Sequence, residues 1–451
     1  MHGEMMAAAM AAELCAFRGA ILSFKDDPGV TSSADSHVHF EDGLLVVENG
    51  HVARVGPAET LLATLPQGTP VADYRGKLLM PGFVDAHVHY AQTDVIASGG
   101  GSLLGWLERH IFPEEARFAQ HAHASEVADF FLDELLRQGT TTALVFGSVH
   151  RASADAFFEA AAKRNLRIGA GQVMMDRHCP EGLRDTPESS KRDAHELIER
   201  WDGNGRLHYA ITPRFAITSS DEQLRVAGEL ARSHPNAFIH SHLAENTEEV
   251  AWVSRLFPGA RSYLDVYERF GLLRERAIYA HCIHLDAADR RRMAETGAAA
   301  AFCPTSNLFL GSGLFDIEAT DAAGMRFALA TDVGGGTSFS LLQTMQDAYK
   351  VAQQRGQSLS ALRAFYLATL GGARALRLDD RIGSFEPGRE ADFIVLDPAA
   401  TPLMERRMRT ARTLEDRLFA WMILGDERAV RQAYVLGKLA STSASAAARS
   451  A

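Results

Sequence analysis

From Pro81 onward the 451-residue chain repeats one pattern, a short apolar strand followed by a longer amphipathic helix. Strands are predicted at Phe83–His89, 141–149, 166–174, 207–215, 237–244, 277–285, 298–305 and 325–332. Helices are predicted between most of them: 123–138 (closed by Gly139), 153–164, 189–201, 220–233, a pair between 248 and 270, and 287–296. Strands joined through helices run parallel, and eight such repeats point to a (β/α)8 barrel of the TIM type. An open doubly wound sheet is the alternative. It is disfavoured because polar residues recur at the carboxyl ends of these strands, where a barrel gathers its active site.

The flanks have a different texture. Residues 16–76 read as short strands and turns, and Asn49-Gly50 between two apolar runs is a hairpin signal. Strand character returns at 383–397 and 431–439, after helices predicted at 340–354 and 358–370. The expected organisation is therefore a disordered extension at 1–15 and a β-sandwich domain whose first part is 16–78. The barrel follows at 79–375, then the second part of the sandwich with a C-terminal helix at 376–440, and a disordered tail at 441–451. Gly99–Ser102 and Gly334–Gly336 read as flexible. Neither fits GxGxxG or GxxxxGK[ST], so a phosphate cradle is set aside.

A formal net charge of −11 argues against nucleic acid or an acidic membrane surface as partner. No stretch reaches the roughly 18–20 apolar residues needed to span a bilayer. The scattered cysteines Cys15, Cys179, Cys282 and Cys303 form no CxxC pair and imply free thiols in a reducing compartment. The Ala- and Met-rich start lacks the early Lys or Arg of a secretion signal. A cytoplasmic protein is expected.

The chemistry concentrates at the strand ends. His87 and His89 sit two apart after Pro81-Gly82, Phe83-Val84 and Asp85, so on a strand both imidazoles reach one point. Such a pair suits a divalent metal of the zinc type. By itself HxH is more often two polar residues facing water. The chain supplies a control in His37-Val38-His39, which has the same spacing in a Ser-rich stretch without the strand context. The fifth strand ends His240-Ser-His242-Leu-Ala-Glu245, the sixth Tyr279-Ala-His281-Cys-Ile-His284, and the eighth Thr331-Asp332. His87, His89, His242 and Asp332 are candidate metal ligands, with an open position for water. His240 and His284 are assigned supporting or structural roles.

The stretches PGFVDAHVHYAQ, TPRFA, HSHLAEN, YAHCIHL and ATDVGGGTS resemble the amidohydrolase superfamily, and the likeness extends to GSFEPGREADFIVLD. Gln92, Leu103-Leu-Gly-Trp106-Leu107 and Arg214-Phe215 make the chain similar, within it, to the guanine deaminases. The resemblance implies hydrolysis of guanine to xanthine and ammonia, with one Zn²⁺ per subunit on His87, His89, His242 and Asp332. Iron suits the same donors. Binuclear relatives would need a lysine on the fourth strand, which here ends Ile211-Thr-Pro-Arg-Phe215. Asp332 would take the water proton, His281 would orient the nucleophile, and Glu245 would protonate ring N3. Arg214 would donate to O6, Gln92 would bond the purine edge, and Trp106 and Phe215 would wall the ring. A homodimer is also implied. Two alternatives stand beside this reading. One is a relative acting on another ring (8-oxoguanine, a pterin, a triazine); the other is a non-catalytic scaffold on the same barrel.

Overall fold

The computed structural model describes residues 13–29, 35–99 and 103–440. Eight parallel strands stand side by side in chain order: Phe83–His89, Thr140–Phe146, Arg167–Gly171, Leu207–Pro213, Phe238–Leu243, Ala277–His281, Ala299–Phe302 and Arg326–Leu329. A two-residue strand, Val173–Met174, pairs beside the fourth. Most strand residues are buried, which accounts for their continuous rather than alternating apolar runs. The helices wrap the outside, and some start on side-chain caps: Thr186 accepts from the Ser189 N–H with Pro187 at the first helical position, and Ser220 accepts from the Gln223 N–H.

The two ends of the series meet, and Asp85 joins them. The Asp332 N–H donates to the His87 carbonyl at 2.9 Å. The Asp85 carboxylate accepts the Thr331 N–H at 3.1 Å and the Thr331 hydroxyl, along with the His87 N–H at 3.2 Å. Burial pushes Asp85 up to about 7. The aspartate that precedes the HxH pair thus ties the first strand to the eighth.

The predicted strands run three or four residues too far at four carboxyl ends. The second stops at Phe146 rather than 149. The sixth stops at His281 rather than 285, the seventh at Phe302 rather than 305, and the eighth at Leu329 rather than 332. After the seventh strand the chain enters the helix Pro304–Phe309, and after the sixth and eighth it turns through left-handed conformations at His281 (φ 72°), Cys282 (φ 54°) and Asp332 (φ 50°). Non-glycine residues rarely adopt this region, and it turns the backbone so that side chains face the barrel axis. The single helix expected at 358–370 is two, Ala361–Leu367 and Leu370–Ala375.

The flanks form one mixed sheet of seven strands, ordered Lys438–Leu439, Val430–Val435, Phe393–Leu396, Val71–Pro81, Leu14–Phe24, His37–Glu48, His51–Pro57. Its strands come from both chain ends. The expected sandwich is thus a single hydrogen-bonded sheet around its own core of Phe17, Ile21, Leu45, Val47, Leu79 and Phe393. Asn49 and Gly50 both have positive φ (52° and 81°), as a two-residue type I′ hairpin requires. Leu14 and Cys15 were expected in a disordered extension; they belong to a strand that pairs with Val47 and Glu48. Residues 1–12 and the tail 441–451 lie outside the described residues.

Val71–Pro81 runs directly into the first barrel strand through Gly82. A Cβ there would lie 2.1 Å from Thr141 Oγ1, so only glycine fits. At the amino ends of the third and fourth strands, Arg167 and Arg206 bind Glu390 and Asp392 of the small sheet. Among the described residues, no helix is long and apolar enough to cross a membrane.

Candidate active site

Strand ends bring the four candidate ligands to one focus. His89 Nε2 lies 3.0 Å from His87 Nε2 and 3.2 Å from His242 Nε2. Asp332 Oδ1 lies 3.1 Å from His87 Nε2 and 3.3 Å from His89 Nε2. Tetrahedral zinc with bonds of about 2.0–2.1 Å places its ligand atoms about 3.3 Å apart, so this spacing fits one ion. The donor set fits as well. His242 Nδ1–H donates to the Arg214 carbonyl at 2.8 Å, which frees Nε2 as a lone pair aimed at the focus. His87 Nδ1 is 2.7 Å from His240 Nε2, so His240 stands behind a candidate ligand, as expected.

The charge states agree with a metal-binding group. Burial pushes His89 down to about 3 and His242 well below the usual imidazole range, which keeps both neutral. Burial opposes the Asp332 carboxylate, yet hydrogen bonds from His87 and His89 outweigh it and hold the group well below its usual range.

A pocket opens onto this focus. Its lining includes His89, Gln92, Trp106, Arg214, Phe215, His242, Glu245, His281 and Asp332, so every candidate substrate and proton-transfer residue faces the same space. Leu103, Leu107, Leu310 and Gly335 complete the wall. Trp106 is fixed by its Nε1–H on the Ser98 carbonyl at 2.8 Å. Asn307 Nδ2 donates to His281 Nδ1 at 2.9 Å, which leaves His281 Nε2–H to face the pocket, 3.3 Å from Glu245 Oε2. Burial pushes His281 down to about 4. Burial, then the charges of Glu249 and Asp332, raise Glu245 well above the usual carboxylate range.

One group behind the pocket wall escaped sequence reasoning. Glu115, fully buried, accepts from Arg214 Nη1 at 2.7 and 2.9 Å and from the Gln92 amide at 2.9 Å. Arg214 is thus neither a surface ion pair nor alone in its site. Phe112 lies under its guanidinium, 5.6 Å from ring centroid to Cζ. Glu115 stands in Phe112-Pro-Glu-Glu-Ala116 beside Glu114, which is also buried but pairs with Arg117 instead. No sequence signal separates the two.

Gly334–Gly336, expected to be flexible, is closely packed. A Cβ at Gly334 would lie 1.9 Å from Gln92 Oε1, one at Gly335 2.6 Å from Ser306 Oγ, and one at Gly336 1.9 Å from the Thr331 carbonyl. The glycines let the backbone press against Gln92 and the Asp332 turn. Of the other stretch, residues 100–102 lie outside the described residues. The control pair His37/His39 lies on the second strand of the small sheet, and the groups able to converge on an ion among the described residues do not include it.

Residues 78–440 match the model of the Amidohydrolase family. Guanine deaminase of Escherichia coli (strain K12) is 50% identical over 414 residues, 92% of this chain and 94% of that protein. The chain belongs to the amidohydrolase family, among its guanine deaminases. The solved E. coli guanine deaminase superposes with a TM-score of 0.93 at 48% identity, covering 95% of this chain and 100% of that one. Guanine deaminase from C. acetobutylicum, solved with bound guanine in the active site, superposes with a TM-score of 0.85 at 29% identity over 95% of this chain and 100% of that one. The His/Asp group is accordingly the metal-binding group of a hydrolytic deaminase.

Proposed function

We propose that the protein hydrolyses guanine to xanthine and ammonia in the pocket over the His/Asp focus. The observation that carries this is the shared pocket: His89, His242 and Asp332 of the metal group, Glu245 and the Glu115-held Arg214 all face one space. The naming of its relatives as guanine deaminases supports the substrate.

His87, His89, His242 and Asp332 would hold one Zn²⁺, with iron suiting the same donors. Such an ion supplies a Lewis acid that lowers the pKa of water from ~15.7 toward ~7. Asp332 accepts the proton of the attacking water. His281 Nε2–H orients that water at C2 of guanine and hydrogen-bonds the oxygen as charge develops on it. Glu245 gives a proton to ring N3, so charge does not accumulate on the heterocycle. The amine leaves after protonation, and guanine plus water become xanthine plus ammonia. Arg214 donates to O6, Gln92 bonds the purine edge, and Trp106 and Phe215 cover the faces. Glu115 aims both Arg214 and Gln92.

Ammonia release over a panel of purines, pterins and triazines tests the substrate, and turnover of another ring in place of guanine overturns it. Metal analysis tests the site: one ion per subunit and loss of turnover on chelation are expected. A folded, metal-free protein would favour the scaffold reading. The same proposal includes a homodimer, checked by light scattering, and a cytoplasmic location, checked by fractionation. It also treats 16–78 with 376–440 as one small domain beside a 79–375 barrel, checked by limited proteolysis.

A further inference from the structure

Glu245 is gripped at both ends. The fifth strand stops at Leu243, and Ala244 takes a left-handed conformation (φ 51°) that turns the chain sharply before Glu245. The carboxylate of Glu249, 1% exposed, accepts the Glu245 N–H at 2.8 Å and the Asn246 N–H at 3.1 Å. Glu249 stands in the first turn of the helix Thr247–Leu256, which Asn246 caps by accepting the Glu248 N–H at 2.8 Å. At the other end, Ser312 Oγ donates to Glu245 Oε1 at 2.8 Å. Ser312 is itself buried and held, with its carbonyl on His284 Nε2 at 2.9 Å and its N–H on the Asn307 carbonyl at 2.9 Å. The remaining oxygen, Oε2, faces His281.

An oxygen that accepts a hydroxyl proton is engaged as an acceptor, so the transferable proton of Glu245 belongs on the other oxygen. We propose that Glu249 and Ser312 are positioning residues for Glu245: Glu249 fixes its main chain, and Ser312 reserves Oε1 so that Oε2 hands over the proton. The proposal rests on the reading of Glu245 as proton donor. A helix cap alone accounts for the Asn246 bond. It does not account for the bond to the Glu245 N–H, nor for a serine on a separate loop aimed at the same side chain. The arrangement also explains His284, which stands away from the metal focus and holds the loop that carries Ser312.

The test is a double-mutant comparison. Ser312→Ala and Glu249→Ala are each made in the native enzyme and in Glu245→Gln, with kcat, KM, bound metal and Tm measured. In the native background each change lowers kcat by about tenfold to a hundredfold, the cost of misplacing a reacting group, with KM and metal content nearly unchanged. Glu249→Gln, which keeps an acceptor oxygen, recovers most of the loss. In the Glu245→Gln background the same changes leave the residual kcat where it was. Equal fold losses in both backgrounds, or a fall in Tm alone, overturn the proposal. Should Glu245→Gln itself turn over guanine at the native rate, the reading of Glu245 falls instead, and the two failures are distinct.

Discussion

Two buried ion-pair networks sit at opposite ends of the barrel, and they are built differently. At the amino end, Arg206 binds Glu390 through Nε and Nη2 and Asp392 through Nη1 and Nη2, while Arg167 binds Glu390 from Nε and Nη2. Two guanidiniums meet two carboxylates. At the carboxyl end, one carboxylate, Glu115, receives Arg214 and Gln92, and both side-chain bonds of Arg214 leave from Nη1. A saturated network has nothing left to offer a ligand, so it serves the junction between sheet and barrel. The network at the pocket keeps donors in reserve beside the metal focus. That division matches the barrel rule that the amino face carries stability and the carboxyl face chemistry.

The largest effect is expected on the chemical side. Glu245→Gln should keep its metal and its Tm yet lose about 10²–10⁴-fold in turnover, the contribution of a positioned proton transfer. Steady-state ammonia release with metal analysis measures it, and near-normal turnover would remove Glu245 from the mechanism. At the opposite end, Arg206→Ala strands Asp392 as a buried charge and leaves Glu390 to Arg167 alone, and should cost about 3–5 kcal/mol of stability. Its signature is reversed: a large fall in Tm or denaturation midpoint, with kcat and KM of the folded enzyme unchanged. A drop in kcat at full Tm would break the division between the two ends.

How far the sequence reaches follows the same line. The barrel was legible because eight apolar runs separated by amphipathic helices leave few alternatives. The ligand focus was legible because His87, His89, His242 and Asp332 fall at the ends of those runs. What distinguished the true pair from His37/His39 was context, and Asp85 turned out to be the residue that locks the first strand to the eighth. Glu115 was not legible, since which of two adjacent buried glutamates meets Arg214 depends on how a short helix docks. Nor was the close packing of Gly334–Gly336, because a glycine run that permits motion and one that permits close approach read alike. The overrun of the sixth and eighth strands is tied to left-handed turns at His281 and Asp332, imposed by tertiary contacts that local propensity does not encode, while the seventh gives way to the helix Pro304–Phe309.

Removing Arg214 sharpens the comparison if its partner is neutralised with it. Arg214→Ala alone would leave Glu115 buried and unpaired, so a loss of stability would be mixed with a loss of binding. In Arg214→Ala with Glu115→Gln no orphaned charge remains. The expected result is a rise in KM for guanine of roughly tenfold to a hundredfold, the consequence of a buried O6 acceptor losing a donor worth about 1–3 kcal/mol, with Tm close to the parent. Unchanged KM and kcat would reassign the pair to structure and make the two networks alike.

The smallest effect concerns acid. Burial pushes Glu390 up, but hydrogen bonds and charges of Arg167 and Arg206 outweigh it and hold the group below its ordinary value. A carboxylate depressed in the folded state contributes stability that is fully present above its unfolded pKa, about 4.3. That contribution is lost as pH falls through the lower, folded value. The amino-end network should therefore be indifferent to pH between 7 and 5 and weaken only below about pH 4. Thermal melts across that range, run on the parent and on Glu390→Gln with Arg167→Met, measure the difference. The double variant should lose less Tm than the parent on descending below pH 4, because the titrating partner is gone. Parallel curves for the two proteins would mean that Glu390 gains nothing from its arginines on folding, and the amino-end network would then be a contact without consequence for stability.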